Sequence, residues 1–293
     1  MPNDRPSVTA LASRLETAIP ATVLLGQMWW YALTVLYPAR ALKAMGLYRP
    51  NATGTWPTHH RIEGQGQFYC HRHPEPVYLD KGASADDSIA YFDMISTIYA
   101  MYIQPFTRPL FEETVAVMKP MLPSHARILD TSCGPGTEAL QLSALVPHGE
   151  VIGMDLSAGM VATASDTARR RGIRNVAFFQ ADVADMPQHF TGRFDATFCF
   201  GAFHHYPHPH RAVAQMRRVL TEPGIAFVVD PGPAWIKLLG SPIARWSDPG
   251  WVSFYTAEEF RDLFIEAGFA QFYWSEVLPG FGMCVAAKSG AGP

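Results

Sequence analysis

The most constraining feature of this sequence is the alternation of short apolar segments with amphipathic segments between residues 127 and 287. Apolar runs bounded by turn residues predict strands, and apolar residues three or four positions apart predict helices. Strands that alternate with helices build a mostly parallel sheet with helices on both faces. The sequence therefore predicts an α/β domain with a doubly wound, seven-stranded sheet. The predicted strands are Arg127–Asp130, Glu150–Asp155, Val176–Gln180, Phe194–Phe200, Ile225–Asp230, Ala270–Glu276 and Gly282–Ala287, and the predicted helices include Thr137–Leu145, Ala158–Arg171, Arg211–Leu220 and Thr256–Ala267.

The N-terminal part of the chain lacks this alternation. Residues 17–39 carry no charged side chain, but Pro20 and Pro38 leave only 17 residues between them, fewer than the ~20 that usually span a bilayer. Three interpretations stay open: a helical lid on the main domain, a helix in a membrane interface, and a membrane span. We predict a mainly helical hydrophobic extension at residues 1–87 and the α/β domain at residues 88–293.

The composition narrows the classes of partner. The chain has 23 Lys and Arg against 26 Asp and Glu, a net charge of −3, so it lacks the basic character of a nucleic-acid-binding protein. Hydrophobic residues make up 48% and aromatic residues 12%, which favours a hydrophobic ligand or peripheral membrane contact through residues 17–49. The four cysteines form no C-x-x-C pair, which indicates reduced thiols and a cytoplasmic location. The oligomeric state is not predicted.

Acidic residues follow three of the predicted strands, at Asp130, Asp155 and Asp182. Between the first strand and its helix, residues 134–139 fit the loose G-x-G-x-x-G/A pattern of dinucleotide-binding turns. A diphosphate there would lie beside Asp130 and Glu138, and like charges about 4 Å apart repel by about 4 kcal/mol at an effective dielectric constant near 20. A ligand with an ammonium and a sulfonium group would instead be attracted. The surrounding charge therefore disfavours a dinucleotide-dependent oxidoreductase.

The spacing of the acids suggests how a nucleoside would bind. Asp155 lies 19 residues after Gly136, the separation typical of an acid that binds ribose hydroxyls. Asp182 can accept a hydrogen bond from an adenine amino group, and Val183 can donate its backbone N–H to a ring nitrogen. The predicted cofactor site also includes Phe200, at the end of the fourth strand, and Ser132, Gly134 and Gly136 of the glycine turn.

Together these motifs resemble those of the class I S-adenosylmethionine-dependent methyltransferases, in particular the subgroup with the ubiquinone and menaquinone C-methyltransferases. The resemblance spans roughly residues 88–288 and implies a Rossmann-like fold and S-adenosyl-L-methionine as cofactor, with S-adenosyl-L-homocysteine as product. The segments that carry it are Arg127–Thr137, Gly153–Ser157, Gln180–Val183, Phe194–Phe198, Arg218–Gly224 and Thr256–Phe269.

The resemblance also implies roles for single residues. Asp130 and Gly134 would line the methionine end of the cofactor, Asp155 would hold the ribose, and Leu156 would pack on the adenine. Ser132 stands where the family usually has glycine. Since serine is also small, this departure concerns the detail of the loop more than the class of cofactor.

The catalytic candidates lie in residues 201–210, which follow the fourth predicted strand of the domain. His204 and His205 are the best candidates for a general base, because an imidazole titrates near neutral pH. A base is needed only when the acceptor is a neutral hydroxyl, an amine or an acidic carbon. A metal site that also includes His208 and His210 is disfavoured, because no acid nearby in the sequence completes a usual ligand set.

Aromatic residues outside the regular pattern are candidates for the acceptor pocket. Apolar walls with few polar groups suit a hydrophobic acceptor such as a quinone, polyketide, terpenoid or lipid-like molecule. The sequence thus predicts in-line methyl transfer to a small acceptor, with a catalytically silent cofactor- or lipid-binding protein as the alternative. The candidate acceptor-binding residues are Tyr91, Tyr99, Trp235, Trp251 and Tyr255.

Overall fold

The computed structural model has the strand–helix alternation predicted between residues 127 and 287. It describes residues 68–70, 92, 99–248 and 250–289. The helices are α1 (Tyr99–Met118), α2 (Thr137–Leu145), α3 (Ala158–Arg171), α4 (Pro209–Val219), α5 (Ala234–Ser247) and α6 (Ala257–Glu266). The strands are β1 (Phe68–Cys70), β2 (Arg127–Asp130), β3 (Glu150–Asp155), β4 (Val176–Gln180), β5 (Phe194–Phe200), β6 (Leu220–Pro231), β7 (Gln271–Leu278) and β8 (Phe281–Ala287).

The strands form one mixed sheet in the order β1-β4-β3-β2-β5-β6-β8-β7. Strands β1 to β6 are parallel, and β8 pairs antiparallel with both β6 and β7. The seven strands from β2 onward confirm the predicted Rossmann-like sheet, and β1 adds an eighth at its edge. Because β2 pairs with both β3 and β5, the strand order reverses there, and ligands of such sheets bind beyond the carboxyl ends of the strands at this reversal.

Two hydrophobic clusters cover the two faces of the sheet. Helices α1, α2 and α3 pack on one face, and α4 and α6 pack on the other. Successive residues of a strand point to opposite faces, so Ile128 belongs to the first cluster and Leu129 to the second, and both are fully buried. Burial on both faces explains why the central strands read as continuous apolar runs in the sequence.

The helix termini carry the expected capping groups. The Ser157 hydroxyl accepts the Met160 N–H at the start of α3, and Gly172 ends that helix in the left-handed region with φ of 66°. At α6, Thr256 and Glu259 have the residue types and spacing that predict a capping box, and each accepts the backbone N–H of the other. These local signals lie within a few residues of one another, which is why they could be found in the sequence.

Two sequence predictions about helices were wrong. Apolar residues at helical spacing in residues 89–119 predict two helices broken near Pro105 and Pro109, but α1 runs through both prolines. A proline removes one backbone hydrogen bond without ending a helix that tertiary packing supports. The prolines and glycine at residues 231–233, where β6 ends, predict an irregular region, but α5 begins directly after them and includes Pro242.

The predicted hydrophobic segment at residues 17–39 lies outside the described residues. The predictions of a lid, of an interfacial helix and of membrane contact through residues 17–49 are therefore unchanged. Among the helices that the structure describes, none combines the length and the apolar character needed to cross a bilayer.

We expect Thr256→Ala to lower the free energy of unfolding by about 1 kcal/mol, because it leaves an N-terminal N–H of α6 without its acceptor. The matched control is Glu258→Gln, an exposed change in the same turn, which should stay within about 0.5 kcal/mol. Chemical denaturation of both variants measures the difference. Equal losses would show that the capping box is not the source of stability.

Candidate functional site

The turn between β2 and α2 holds two glycines with different structural roles. Gly136 begins α2 with φ of 85°, and a Cβ there would lie 2.7 Å from the Ala164 Cβ and 3.0 Å from the Phe178 ring. This glycine is required for the close approach of α2 to α3. Gly134 has φ of 51°, and no atom of the described residues lies within 4 Å of the place its Cβ would take. Gly134 therefore leaves room for a ligand to approach the backbone.

Asp155, at the end of β3, holds this turn in place. One carboxylate oxygen accepts the Gly134 N–H at 2.9 Å, and the other accepts the Ser157 N–H at 2.8 Å. Leu156 follows it, half-buried, and its carbonyl accepts the side-chain amide of Gln180 at 3.2 Å.

Two further carboxyls make the site acidic. Asp130 is 1% exposed, and burial together with the nearby Glu138 raises its pKa well above the usual value. Burial also raises the pKa of Glu138 to about 7. The raised pKa values mean that the ionised forms of Asp130 and Glu138 are destabilised in the ligand-free protein. A cationic ligand bound beside them would stabilise these ionised forms. The side chains present therefore fit the ammonium and sulfonium of S-adenosylmethionine and do not fit a diphosphate.

Asp182 lies two residues beyond the end of β4, at the same edge of the sheet as Asp155. Its carboxylate accepts the Ala184 N–H at 2.7 Å and is half-buried, while the side chain of Val183 is buried. The residues predicted to read the adenine thus stand at the carboxyl edge of the sheet next to the strand that carries the predicted ribose ligand.

Tyr206 is a residue of the site that sequence analysis missed. Its hydroxyl lies 2.6 Å from the Ser132 Oγ, 3.2 Å from the Thr131 Oγ1 and 3.3 Å from the Cys199 Sγ. Burial raises the pKa of this phenol well above 10, so it is neutral. The bond to Ser132 connects the glycine turn to the segment after β5. The sequence feature that relates to Tyr206 is the serine at position 132 in place of the usual glycine. The serine alone does not indicate a hydrogen-bond partner that lies 74 positions away in the chain.

His204 is paired with a buried carboxylate that sequence analysis also missed. Its Nδ1 lies 2.9 Å from an oxygen of Asp230 at the end of β6, and Asp230 is fully buried. Burial by itself lowers the pKa of His204, but the Asp230 carboxylate outweighs this effect and raises it. Because Nδ1 is engaged by Asp230, the imidazole presents Nε2 to other groups.

His205 lies against His204, with the ring centroids 4.1 Å apart. Its Nε2 is 3.7 Å from a carboxylate oxygen of Asp248, which follows α5. The edge of Phe92 contacts the His205 ring at 5.5 Å between centroids. Burial lowers the pKa of His205 and favours the neutral imidazole. The two predicted catalytic histidines thus occur together with two acids that are distant in the sequence.

The remaining predicted site residues are not gathered in one place. Tyr255 packs against Phe203 near the histidines, and burial raises the pKa of its phenol to about 12. Trp251 packs against Phe254, whereas Trp235 is 42% exposed on α5. Phe200 packs on Phe111 of α1. Tyr99 begins α1, but its side chain is outside the described part of the structure. Tyr91 lies outside the described residues.

Comparison of the sequence with profiles of known protein families identifies the type of domain. The profile described as "Methyltransferase domain" matches residues 128–224, which contain the glycine turn, Asp155 and Asp182. Residues 128–224 are therefore a methyltransferase domain, in agreement with the resemblance to the class I S-adenosylmethionine-dependent methyltransferases. The methyl donor of this family is S-adenosyl-L-methionine, so the family and the cofactor predicted from the sequence are both confirmed.

Similar proteins support this methyltransferase domain. The chain is 32% identical over 141 residues to "Uncharacterized methyltransferase YcgJ" of Bacillus subtilis, covering 47% of this chain and 54% of the relative. It is 37% identical over 108 residues to demethylmenaquinone methyltransferase of Thermus thermophilus, covering 36% and 48%. The crystal structure of YcgJ matches with a TM-score of 0.50 and 26% identity, covering 57% and 70%. The chain spans about half the length of these two curated relatives, so their activities are not transferred to it directly.

Replacing each glycine of the methyltransferase turn by alanine should separate folding from binding. Gly136→Ala should cost about 2–4 kcal/mol of stability, because its Cβ overlaps Ala164 and its φ is positive. Gly134→Ala should cost only about 1 kcal/mol but weaken binding of S-adenosylhomocysteine at least tenfold. Thermal denaturation and calorimetric titration measure the two effects. Unchanged binding by Gly134→Ala would place the ligand elsewhere.

The raised pKa of Glu138 predicts a pH-dependent stability. The folded protein retains the Glu138 proton up to about pH 7, whereas the unfolded chain loses it near pH 4.5. The free energy of unfolding should therefore fall as pH rises from about 4.5 to 7. Glu138→Gln should flatten this decline, and the exposed control Glu113→Gln should not. Melting temperatures of the ligand-free proteins across this range test the prediction, and equal slopes in all three proteins would contradict it.

Proposed function

We propose that this protein transfers a methyl group from S-adenosylmethionine to a small hydrophobic acceptor. The observation that carries the proposal is the glycine turn, in which Asp155 holds Gly134 while Asp130 and Glu138 are carboxyl groups with raised pKa values, which a bound cation would stabilise as anions. This combination suits a nucleoside with a cationic tail. It also argues against the dinucleotide alternative, because a diphosphate would lie beside two carboxyl groups and would oppose their ionisation.

The cofactor would be held by three neighbouring strand ends. Asp155 would accept the ribose hydroxyls, and Asp182 with the backbone of Val183 would bind the adenine. Asp130 and the open backbone at Gly134 would take the methionine portion. When bound, S-adenosylmethionine supplies a methyl group on a positively charged sulfur.

The acceptor side would be formed by aromatic and histidine side chains beyond β5 and β6. Phe92, Trp251 and Tyr255 contribute apolar surface near His204 and His205. Few polar groups among apolar walls favour a hydrophobic acceptor with one reactive polar atom. Quinones, polyketides, terpenoids and lipid-like molecules all meet this description.

The protein's main contribution to catalysis would be alignment of the acceptor atom with the methyl group. Holding two reactants in line near contact distance supplies a large part of the acceleration in such reactions. An acceptor hydroxyl or acidic carbon must also lose a proton. In a metal-free site Nε2 of His204 is the candidate proton acceptor, with Asp230 as a positioning residue that keeps the imidazole in one orientation.

The first test is calorimetric titration with S-adenosylhomocysteine. We expect binding in the micromolar range or tighter by the wild type, and at least a tenfold loss for Asp155→Ala and Asp182→Ala. Asp166→Ala, on the exposed face of α3, is the matched control and should bind like the wild type. Melting temperatures show whether Asp155→Ala, which frees two backbone N–H groups, still folds.

Methyl transfer itself is tested by incubating the protein with labelled S-adenosylmethionine and a panel of hydrophobic phenols, quinols and polyketides. Label in an acceptor, lost in Asp155→Ala, would establish the enzyme. No binding of S-adenosylhomocysteine by a folded wild type would overturn the proposal. Binding without transfer to any acceptor class would favour the alternative, a silent cofactor- or lipid-binding protein.

A further inference from the structure

Three side chains beyond the cofactor turn place metal-ligating atoms together. One ligand atom each from His204, His205 and Asp248 lies within 4.8 Å of the other two. The histidines precede α4, and the aspartate follows α5, so the fold and not the sequence brings them together. Their side chains are no more than 16% exposed.

We propose that His204, His205 and Asp248 form a binding site for a divalent transition-metal ion such as zinc. Two imidazoles and one carboxylate are a ligand set used by catalytic zinc sites, which leave a fourth position open. Imidazole-rich sites also suit iron and nickel, whereas calcium and magnesium prefer oxygen ligands alone. Any role of this ion toward an acceptor rests on the proposed function, but the metal site itself does not.

The separation of His205 and Asp248 supports a shared ion. Their closest atoms, Nε2 and Oδ2, are 3.7 Å apart, which is too long for a direct hydrogen bond. Two ligand atoms that each lie about 2.0–2.1 Å from one zinc ion at a tetrahedral angle are about 3.4 Å apart. A small adjustment of either side chain would therefore bring both into coordination distance.

Two of the three ligands, His204 and Asp248, are oriented by a second group. Asp230 engages Nδ1 of His204 at 2.9 Å, which leaves Nε2 for the ion, and carboxylate–histidine pairs of this kind are common around protein-bound metals. One oxygen of Asp248 accepts the Gly250 N–H at 2.9 Å, which leaves the other oxygen facing His205. The His204 carbonyl accepts the N–H groups of Val252 and Ser253 and so holds the chain that follows Asp248 against the histidines.

The charge of the cluster also suits a divalent cation. Asp230 is fully buried and Asp248 is nearly so, and two buried carboxylates require positive charge nearby. A divalent ion bound by His204, His205 and Asp248 would place positive charge beside both carboxyl groups.

A metal ion here would define the class of acceptor. The open coordination position would take an oxygen of the acceptor, such as a phenol or an enol, and a bound divalent ion lowers the pKa of such a hydroxyl. In the metal-loaded site His204 is a ligand and the ion takes over its role toward the acceptor. The acceptor would then be an oxygen-bearing aromatic or enolic molecule.

The test is titration of the chelator-treated full-length protein with Zn²⁺ by calorimetry and with Co²⁺ by visible absorption. We expect one tight site per chain and the absorption of four-coordinate Co²⁺. His205→Ala and Asp248→Asn should weaken binding about 100-fold or more, and Asp230→Asn about 10–100-fold, as for other groups that orient a ligand. The matched control is His210→Ala, an exposed imidazole beside Glu266, which should leave the affinity unchanged.

Control measurements separate loss of the metal site from loss of folding and from failure of the proposed function. Binding of S-adenosylhomocysteine and the melting temperature, measured on the same samples, show that each variant is folded. Metal affinity that is the same in the wild type and in His205→Ala would overturn the proposal and assign any metal to other histidines of the chain. No binding by a wild type that still binds S-adenosylhomocysteine would overturn the metal site alone. A wild type that binds metal but not S-adenosylhomocysteine would overturn the proposed function alone.

Discussion

The candidate site depends on the carboxylate of Asp155. It accepts the N–H of Gly134 from the turn after β2 and the N–H of Ser157 at the start of α3. These bonds form because β2 and β3 are parallel neighbours, with Asp130 in register with Gly153, so their carboxyl ends reach the same edge. A single side chain thus connects the glycine turn, strand β3 and helix α3.

Around this connection the site divides into two regions of different electrostatic character. The proposed cofactor region contains the carboxyl groups of Asp130 and Glu138, whose pKa values burial raises. The proposed acceptor region pairs imidazoles with carboxylates, chiefly His204 with Asp230. Tyr206 lies between them, bonded to Ser132 on one side and packed against Phe203 on the other. Tyr206 therefore links the glycine turn to the segment that carries His204 and His205, and a movement of the turn would also move Tyr206.

Most of the cofactor region could be predicted because its signals are local. An acid at the end of an apolar run, a glycine after it and a helix start beyond are visible within about ten residues, as at Asp130 and Gly134. The acceptor region was predicted only in part. His204 and His205 stood out as neighbours in the sequence, but Asp230 and Asp248 gave no local sign of a shared site. The absence of a nearby acid led to the expectation of no metal ligand set, whereas in the fold Asp248 reaches His205 from beyond α5.

The sequence by itself determined the alternation of strands and helices, the capping of α3 and α6, and the acids that end the strands. These follow from periodicity, capping chemistry and chain direction, which act over a few residues. Only the tertiary structure decided that α1 continues through its prolines, that α5 forms, and that Tyr206 bonds to Ser132. It also decided that His204, His205, Asp230 and Asp248 share one buried cluster. Such contacts join residues that are far apart in the chain, and the packing of the sheet and its helices selects them.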